Sequence, residues 1–435
     1  MEENIDLINN YKKRNRKLFV FYKILANDLL FYYTISFLFL SAVKGLSVSQ
    51  IVFGESFYPI FKLLFQIPCT MLIQKIGKRN SLIIGNLSVA IYLGLVLILN
   101  STFTLILANI FCAIGFVIKG IAEPNFIYDS LENNDQKKEG FSKIEGLASS
   151  IFFFLDAITS LITGFIYVIN PYLPITLSLI TISLSVLVNL FMHEIKENNQ
   201  KNIEKTAFVK EFKNQLFDVG HGFKYIFKSP RLKALILFDS LFASLVILMV
   251  TLHRSILDSI NVSAEYLGVI FAIMGLVVSF SSTRSIHLHK AYKNKTLSIL
   301  GIILTISIIL TGIIPIIFTT SKFWTCYLIL IMIFLVYIVK GPFYILIKQY
   351  LNSFCDSNMR IKIYSANLFF EYISTSTIGM ICSILLEQSP NYIVTILIGS
   401  VGFILMLLLI KFMSTRVGLK PEQYSEKDIF FLELN

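Results

Sequence analysis

The sequence predicts an all-α membrane protein with twelve transmembrane helices in two six-helix halves. Of its 435 residues, 55 % are hydrophobic and 15 % are charged, and the mean hydropathy is +0.72. A soluble domain is about 25 % charged, so this chain lacks the charge that a water-facing surface of its size requires. These observations exclude a disordered chain, a collagen-like chain and an ordinary cytosolic enzyme.

Twelve apolar runs, each close to the length that crosses a bilayer, follow one another along the chain. Their approximate limits are 18–42, 49–73, 81–100, 102–127, 142–168, 173–192, 232–252, 263–283, 297–318, 323–346, 361–386 and 391–411. Most links are short, and the exception is the polar, lysine-rich stretch 193–233. This stretch divides the chain into an N-terminal bundle (1–192), a cytoplasmic linker loop (193–231) and a C-terminal bundle with a short tail (232–435).

The distribution of lysine and arginine predicts the orientation. With a cytoplasmic N-terminus, the inside loops hold 31 basic residues and the outside loops hold 3. Positively charged loops stay in the cytoplasm, so we expect both termini there and the protein in the cell membrane. The net charge of +11 is spread over these loops, which argues against a nucleic-acid partner. The N-terminus lacks the pattern of a cleaved signal peptide.

Charged residues lie inside the spans in a repeating pattern. Every third span (3, 6, 9 and 12) has no charged residue or histidine in its interior, whereas the candidates for substrate binding or proton coupling all lie in the other spans. These candidates are Asp28, Glu55, Lys62, Lys119, Asp156, Asp239, Lys340 and Glu371. At about 3 kcal/mol each, eight charges facing lipid would cost roughly 24 kcal/mol, more than the ~5–15 kcal/mol that holds a fold together.

These residues are therefore expected to face each other or water, in four three-helix units around a polar cavity. Several share a helix face with other polar residues, as Glu55, Lys62 and Gln66 do on span 2 and Glu145 and Asp156 do on span 5. The alternative is that such stripes only join helices by hydrogen bonds. For Lys119 and Lys340, the alternatives are snorkelling to the cytoplasmic interface and pairing with Asp28, Asp156, Glu371 or an anionic substrate.

The loop between spans 2 and 3 carries a motif. Residues 70–79 read TMLIQKIGKR, and Gly77, Lys78 and Arg79 fit the pattern Gly-x-x-x-Asp-Arg-x-Gly-Arg-Arg, although Thr70 and Gln74 depart from it. With twelve spans, a basic central loop and charge-free third helices, the chain resembles the major facilitator superfamily. In that family this loop latches the inner gate through charge pairing, and Gln74 lacks the charge for it.

A second motif lies at the inner end of span 4. Residues 119–131 read KGIAEPNFIYDSL and resemble the pattern Ser-Gly-x-x-Glu-Ala-x-x-x-Tyr-Asp-Ser-Leu of bacterial efflux-type facilitators, with departures at Lys119 and Pro124. The resemblance makes Glu123, Tyr128 and Asp129 candidates for the gating region, together with the loop residues Gly77, Lys78 and Arg79.

The resemblance implies a secondary transporter that moves a small solute by alternating access, by proton-coupled efflux. Of the antiporter pattern expected on span 5, only Gly164 is present, so solute uptake by proton symport and a non-transporting sensor or scaffold stay open. The sequence carries no nucleotide-binding or catalytic motif, and its five scattered cysteines form no metal-binding pattern. We therefore expect no enzyme activity, no cofactor and no metal, and a monomer in the bilayer whose partners are the solute and protons.

Overall fold

A computed structural model describes residues 2–131, 137–195, 217, 220–221, 223–292, 295–318, 322–353 and 360–416. All regular elements in these ranges are helical. Eleven of the helices are long and apolar enough to cross a membrane. They agree with the predicted spans 2 to 12 to within several residues.

The helices are numbered here in chain order. They are α1 (Glu2–Ala26), α2 (Tyr32–Leu38, continued by a π-helical turn Phe39–Val43), α3 (Val48–Ile76), α4 (Lys78–Ile98), α5 (Thr102–Asp129), α6 (Lys137–Ile169), α7 (Leu173–Leu190), α8 (Pro230–Ser259), α9 (Ala264–Thr283), α10 (Ser285–Tyr292), α11 (Thr296–Ile317), α12 (Lys322–Ser353), α13 (Arg360–Gln388) and α14 (Asn391–Arg416).

The prediction of one continuous helix over 18–42 is wrong. Helix α1 starts near the N-terminus and ends at Ala26, and α2 starts only at Tyr32. Hydropathy missed the break because the intervening residues, NDLLF, include three large apolar side chains. Non-helical backbone at membrane depth is tolerated where groups of neighbouring helices satisfy its hydrogen bonds.

The chain divides into two compact units. The first comprises Met1–Leu46, Phe57–Gln215 and Ala264–Ala272, and the second comprises the remaining residues. Helices α3 and α9 are thus each shared between the units. The predicted linker 193–231 falls largely outside the described residues, so the predicted domain boundaries stay a prediction.

Within the first unit, α4 packs along α5 and α7, and α1 packs on α6 and α7. Its core contains the fully buried aromatic side chains Phe19, Tyr22 and Phe39 together with Val89 and Ile118. Apolar burial of this kind excludes water, which increases the strength of any charge interaction next to it.

Within the second unit, the same contacts recur one repeat later. Helix α11 packs along α12 and α14, and α8 packs on α13 and α14. Phe242 of α8 stacks on Phe343 of α12 with ring centroids 3.5 Å apart. The charge-free helices therefore pack against each other in both units, α4 on α7 and α11 on α14. This is the arrangement expected of two parallel six-helix repeats.

Candidate functional site

The break between α1 and α2 lies among polar groups from neighbouring helices of the first unit. The Lys119 ammonium of α5 donates a hydrogen bond to the Ala26 carbonyl at the end of α1. The Ser178 hydroxyl of α7 accepts from the Tyr32 amide at 2.9 Å, at the start of α2. The Asp28 carboxylate accepts from the Leu29 amide at 2.7 Å. A cation at a helix C-terminus is favourable, so Lys119 stabilises the broken helix by its charge as well as its hydrogen bond.

A buried ion-pair network lies one turn earlier on α1. The Lys23 ammonium is 2.6 Å from the Glu123 carboxylate of α5 and 3.1 Å from Glu145 of α6. The Tyr22 hydroxyl donates to the other Glu123 oxygen at 2.7 Å. Lys23 is 8 % exposed and Glu123 is 5 % exposed. Three helices are thus connected by one charged cluster, which we call the α1–α5–α6 network (Tyr22, Lys23, Glu123 and Glu145).

Four of the predicted site residues lie together in the first unit. The Cys112 thiol of α5 experiences the charges of Asp28, Lys62 and Lys119, and Asp156 experiences that of Asp28. Lys119 is 3 % exposed, and its ammonium is 4.6 Å from the Phe116 ring centroid. Lys62 lies 5.3 Å from the ring of Tyr58. An acid of the break itself therefore meets acids and lysines from α3, α5 and α6.

The second unit has a corresponding acidic group. The Asp239 carboxylate of α8 is 3 % exposed and accepts from the Asn367 amide of α13 at 2.8 Å. The charges of Glu371 and Lys348 act on Asp239. Polar side chains of α8, α12 and α13 therefore converge on Asp239.

Lys340 and Glu55 lie elsewhere in the second unit. The Lys340 ammonium lies 5.5 Å from the Tyr337 ring centroid. Glu55 accepts from the Thr251 hydroxyl at 2.7 Å and experiences the charge of Arg254.

The loop motif between α3 and α4 is ordered by groups that the sequence analysis did not identify. Gly77 has φ +88°, and the next two amides, of Lys78 and Arg79, donate to the Glu194 carboxylate at 2.9 and 2.6 Å. A carboxylate at a helix N-terminus is favourable, and this one satisfies the first amides of α4. The Lys78 ammonium pairs with Asp129 at the end of α5.

The structure therefore places an acid against the loop despite the absence of one at Gln74. Tyr128 packs edge-on against Phe141 of α6, with ring centroids 6.2 Å apart. Glu123 differs from the other residues of its motif, because it is buried in the α1–α5–α6 network and has no contact with the loop among its described partners.

Sequence reasoning missed Tyr22, Lys23 and Glu194 as site residues. Lys23 was recognisable as an ionisable residue within an apolar run. Its acidic partner, however, is 100 residues away in the sequence, and no local spacing identifies it. Glu145 was recognised as part of the stripe on span 5, but without its partner.

Comparison with known protein families identifies the family of the chain. The sequence profile of the Major Facilitator Superfamily matches residues 24–379, which is most of the chain. No curated protein matches the sequence significantly.

Solved transporters share the fold. The nucleoside transporter NupG superposes with a TM-score of 0.70 at 12 % identity, covering 93 % of this chain and 99 % of that one. A D-xylose–proton symporter gives 0.62 at 14 % identity, with coverages of 96 % and 99 %. A POT family transporter in complex with 5-aminolevulinic acid gives 0.63 at 15 % identity, with coverages of 95 % and 96 %. The predicted fold class is confirmed.

Proposed function

The chain belongs to the Major Facilitator Superfamily, and on that premise we propose that it is a secondary transporter working by alternating access. We propose that it moves a small solute across the cell membrane, coupled to protons, in the direction of efflux. The observation that carries the proposal is the presence of buried charged residues in both units, Lys119 and Glu123 in the first and Asp239 in the second, which a bundle serving only as a scaffold does not need.

The proposed coupling group is the set of charges at the break between α1 and α2. Asp156 and Asp28 are carboxylates whose charges act on each other. A proton bound to one of these carboxylates relieves that repulsion. Movement of the helices that carry the two residues changes their distance and therefore their affinity for the proton. The Lys119 ammonium donates a hydrogen bond to the last carbonyl of α1 and lies near Asp28, so it connects these acids to the backbone of the broken helix. Asp156 is proposed as the leading proton carrier, with Glu371 and Asp28 as the next candidates.

The polar residues of the first unit also favour a charged or amphipathic solute. Broken membrane helices place their terminal backbone groups at binding sites in several transporter folds. The mixture of acids and lysines suits an amphipathic cation, an anion or a peptide. The solved relatives transport different solutes at 12–15 % identity, so they give the fold and a panel of compounds to test.

The test uses purified protein in liposomes that contain a pH-sensitive dye. Solutes added outside include a nucleoside, a pentose, a dipeptide and a lipophilic cation. A solute that enters in exchange for a proton makes the interior alkaline, as proton-coupled efflux requires. A solute that enters together with a proton makes the interior acidic, and this result would favour uptake by proton symport over efflux. If no solute moves and no proton moves, the alternative of a sensor or scaffold is favoured.

The orientation is part of the proposal. The ratio of 31 to 3 basic residues in the loops supports cytoplasmic termini in the plasma membrane. A cysteine at position 198, outside the described residues, tests it in a background without the native cysteines. We expect that an impermeant thiol reagent does not label this cysteine in intact cells. Rapid labelling would show that the protein has the opposite orientation. We also propose that the protein is a monomer, which light scattering of the purified protein in detergent measures.

A further inference from the structure

A cleft of about 640 Å³ lies within the second unit, away from its acidic group. Helices α9, α10, α11 and α12 line it, and its volume falls in the range of about 300–1,000 Å³ typical of ligand sites. Most of the lining is apolar, including Leu276, Val277, Ile303 and Ile338. The polar lining groups are Ser281, Arg284, Tyr292 and Thr296. These lie at or next to the ends of α9, α10 and α11.

A close approach between two helices accounts for part of the shape of this cleft. Gly341 of α12 faces the end of α9, where a Cβ at position 341 would come within 2.5 Å of the Ser281 hydroxyl and 2.7 Å of the Val278 carbonyl. Only glycine allows that approach. Helix α12 packs along α11, whereas α9 meets α12 at this crossing and leaves the space towards α11 unfilled. The shape of the cleft therefore depends in part on the glycine at position 341.

The charge around the cleft has one sign. Arg284 is exposed and lies with its guanidinium carbon 5.3 Å from the ring centroid of Phe280. Lys290 and Lys295 are also exposed at this end. The sequence contains no Asp or Glu between Glu265 and Asp356, so these cations have no acid from their own part of the chain. An apolar cleft with a cationic rim complements a molecule that has a hydrocarbon chain and an anionic head.

We propose that this cleft binds an anionic phospholipid of the cytoplasmic leaflet, with one acyl chain between α9 and α11 and the phosphate at Arg284. The inference uses the proposed orientation, which places α10 at the cytoplasmic surface, and it is independent of the proposed transport activity. Arginine binds phosphate oxygens through two parallel hydrogen bonds, and basic pockets between membrane helices on the cytoplasmic side bind anionic head groups. Burial of the acyl chain in the apolar part of the cleft adds to the affinity with each CH₂ group.

The test is native mass spectrometry of the purified full-length protein with equal amounts of phosphatidylglycerol and phosphatidylcholine. We expect one phosphatidylglycerol to be retained in preference to phosphatidylcholine. In Arg284→Gln, the affinity for phosphatidylglycerol should fall by roughly tenfold, equivalent to about 1.4 kcal/mol. The control Lys228→Gln removes an exposed cation outside the cleft lining and should leave binding unchanged. Equal retention of both lipids, with no effect of Arg284→Gln, would overturn the assignment of the head group.

Blocking variants test the position of the acyl chain. Val277→Trp fills the cleft from α9, and Ile303→Trp fills it from α11 in case the first variant does not fold. Leu408→Trp introduces the same side chain at an exposed position of α14 and serves as the control. We expect the bound phospholipid to be lost in either folded blocking variant and kept in the control. Retention in the blocking variants, with circular dichroism of the native helix content, would show that the chain lies elsewhere. Transport is measured separately, so a failure here leaves the proposed function untouched.

Discussion

Neutralising Glu123 is expected to destabilise the protein through the ion pair with Lys23. In Glu123→Gln the amide oxygen can still accept from the Tyr22 hydroxyl, but the 2.6 Å contact with the Lys23 ammonium loses its charge. Removing one partner of a buried pair costs about 3–5 kcal/mol. Because Glu145 remains 3.1 Å from Lys23, we expect the lower part of that range or less, roughly 2–3 kcal/mol.

The assay is thermal unfolding in a mild detergent, followed by circular dichroism. For a unit of this size, 1 kcal/mol corresponds to about 2–4 °C in Tm, so Glu123→Gln should lower the Tm by roughly 4–12 °C. The control Lys13→Gln changes an exposed lysine on the same helix and should have little effect. A charge added or removed at the surface is usually worth less than about 0.5 kcal/mol.

A double-mutant cycle distinguishes an ion pair from two independent losses. Lys23→Gln combined with Glu123→Gln should be less destabilised than the sum of the single variants, by about 1–3 kcal/mol. Additive losses, or a single variant with the wild-type Tm, would refute the reasoning that these two charges stabilise each other in the folded state.

Three further outcomes follow from the same geometry. Gly77→Ala should lower the Tm, because its backbone (φ 88°, ψ 164°) lies in a region essentially restricted to glycine and costs another residue about 1–3 kcal/mol. The new Cβ would also lie 2.9 Å from the Glu194 carboxyl carbon. Gly94→Ala, with open space around it, should not lower the Tm, and equal Tm values for the two variants would contradict the role of the turn. Lys119→Gln should weaken the end of α1 by up to about 2 kcal/mol, seen as faster amide hydrogen exchange at α1, whereas unchanged exchange would remove Lys119 from that role. Glu194→Gln keeps one of the two acceptor oxygens and loses the other together with the charge at the start of α4. We therefore expect a loss of stability of about 1–2 kcal/mol, seen as a lower Tm at low salt, and an unchanged or increased Tm would contradict it.

The fold was predictable because each span carries its own signal. A run of about twenty apolar residues usually crosses the bilayer as one helix, because a helix satisfies its own backbone, so spans 2 to 12 could be placed without tertiary information. The charge-free pattern of every third span likewise corresponds to the packing of α4 on α7 and α11 on α14. A charged residue within an apolar run is also recognisable in the sequence, and its cost in lipid predicts that it lies in the protein interior.

The break after Ala26 and the pairing of Lys23 with Glu123 could not be predicted in the same way. A helix break at membrane depth depends on groups that satisfy the freed backbone, and here these come from Lys119 and Ser178, far away in the sequence. The choice between snorkelling and pairing for Lys119 depended on the same tertiary contact. The loop motif shows the reverse case, in which the expected acid is missing at Gln74 and a distant one, Glu194, lies against the loop.

The most direct test of proton-coupled transport compares two kinds of transport in the same proteoliposomes. For a solute identified in the dye assay, a pH gradient should drive accumulation of the labelled compound in the wild type. Asp156→Asn should lose this accumulation but retain counterflow, which exchanges solute for solute without net proton movement. Gradient-driven accumulation at the wild-type level in Asp156→Asn would remove that residue from coupling. Folded wild-type protein that shows neither accumulation nor counterflow with any solute of the panel would contradict the account of the protein as a transporter of such solutes.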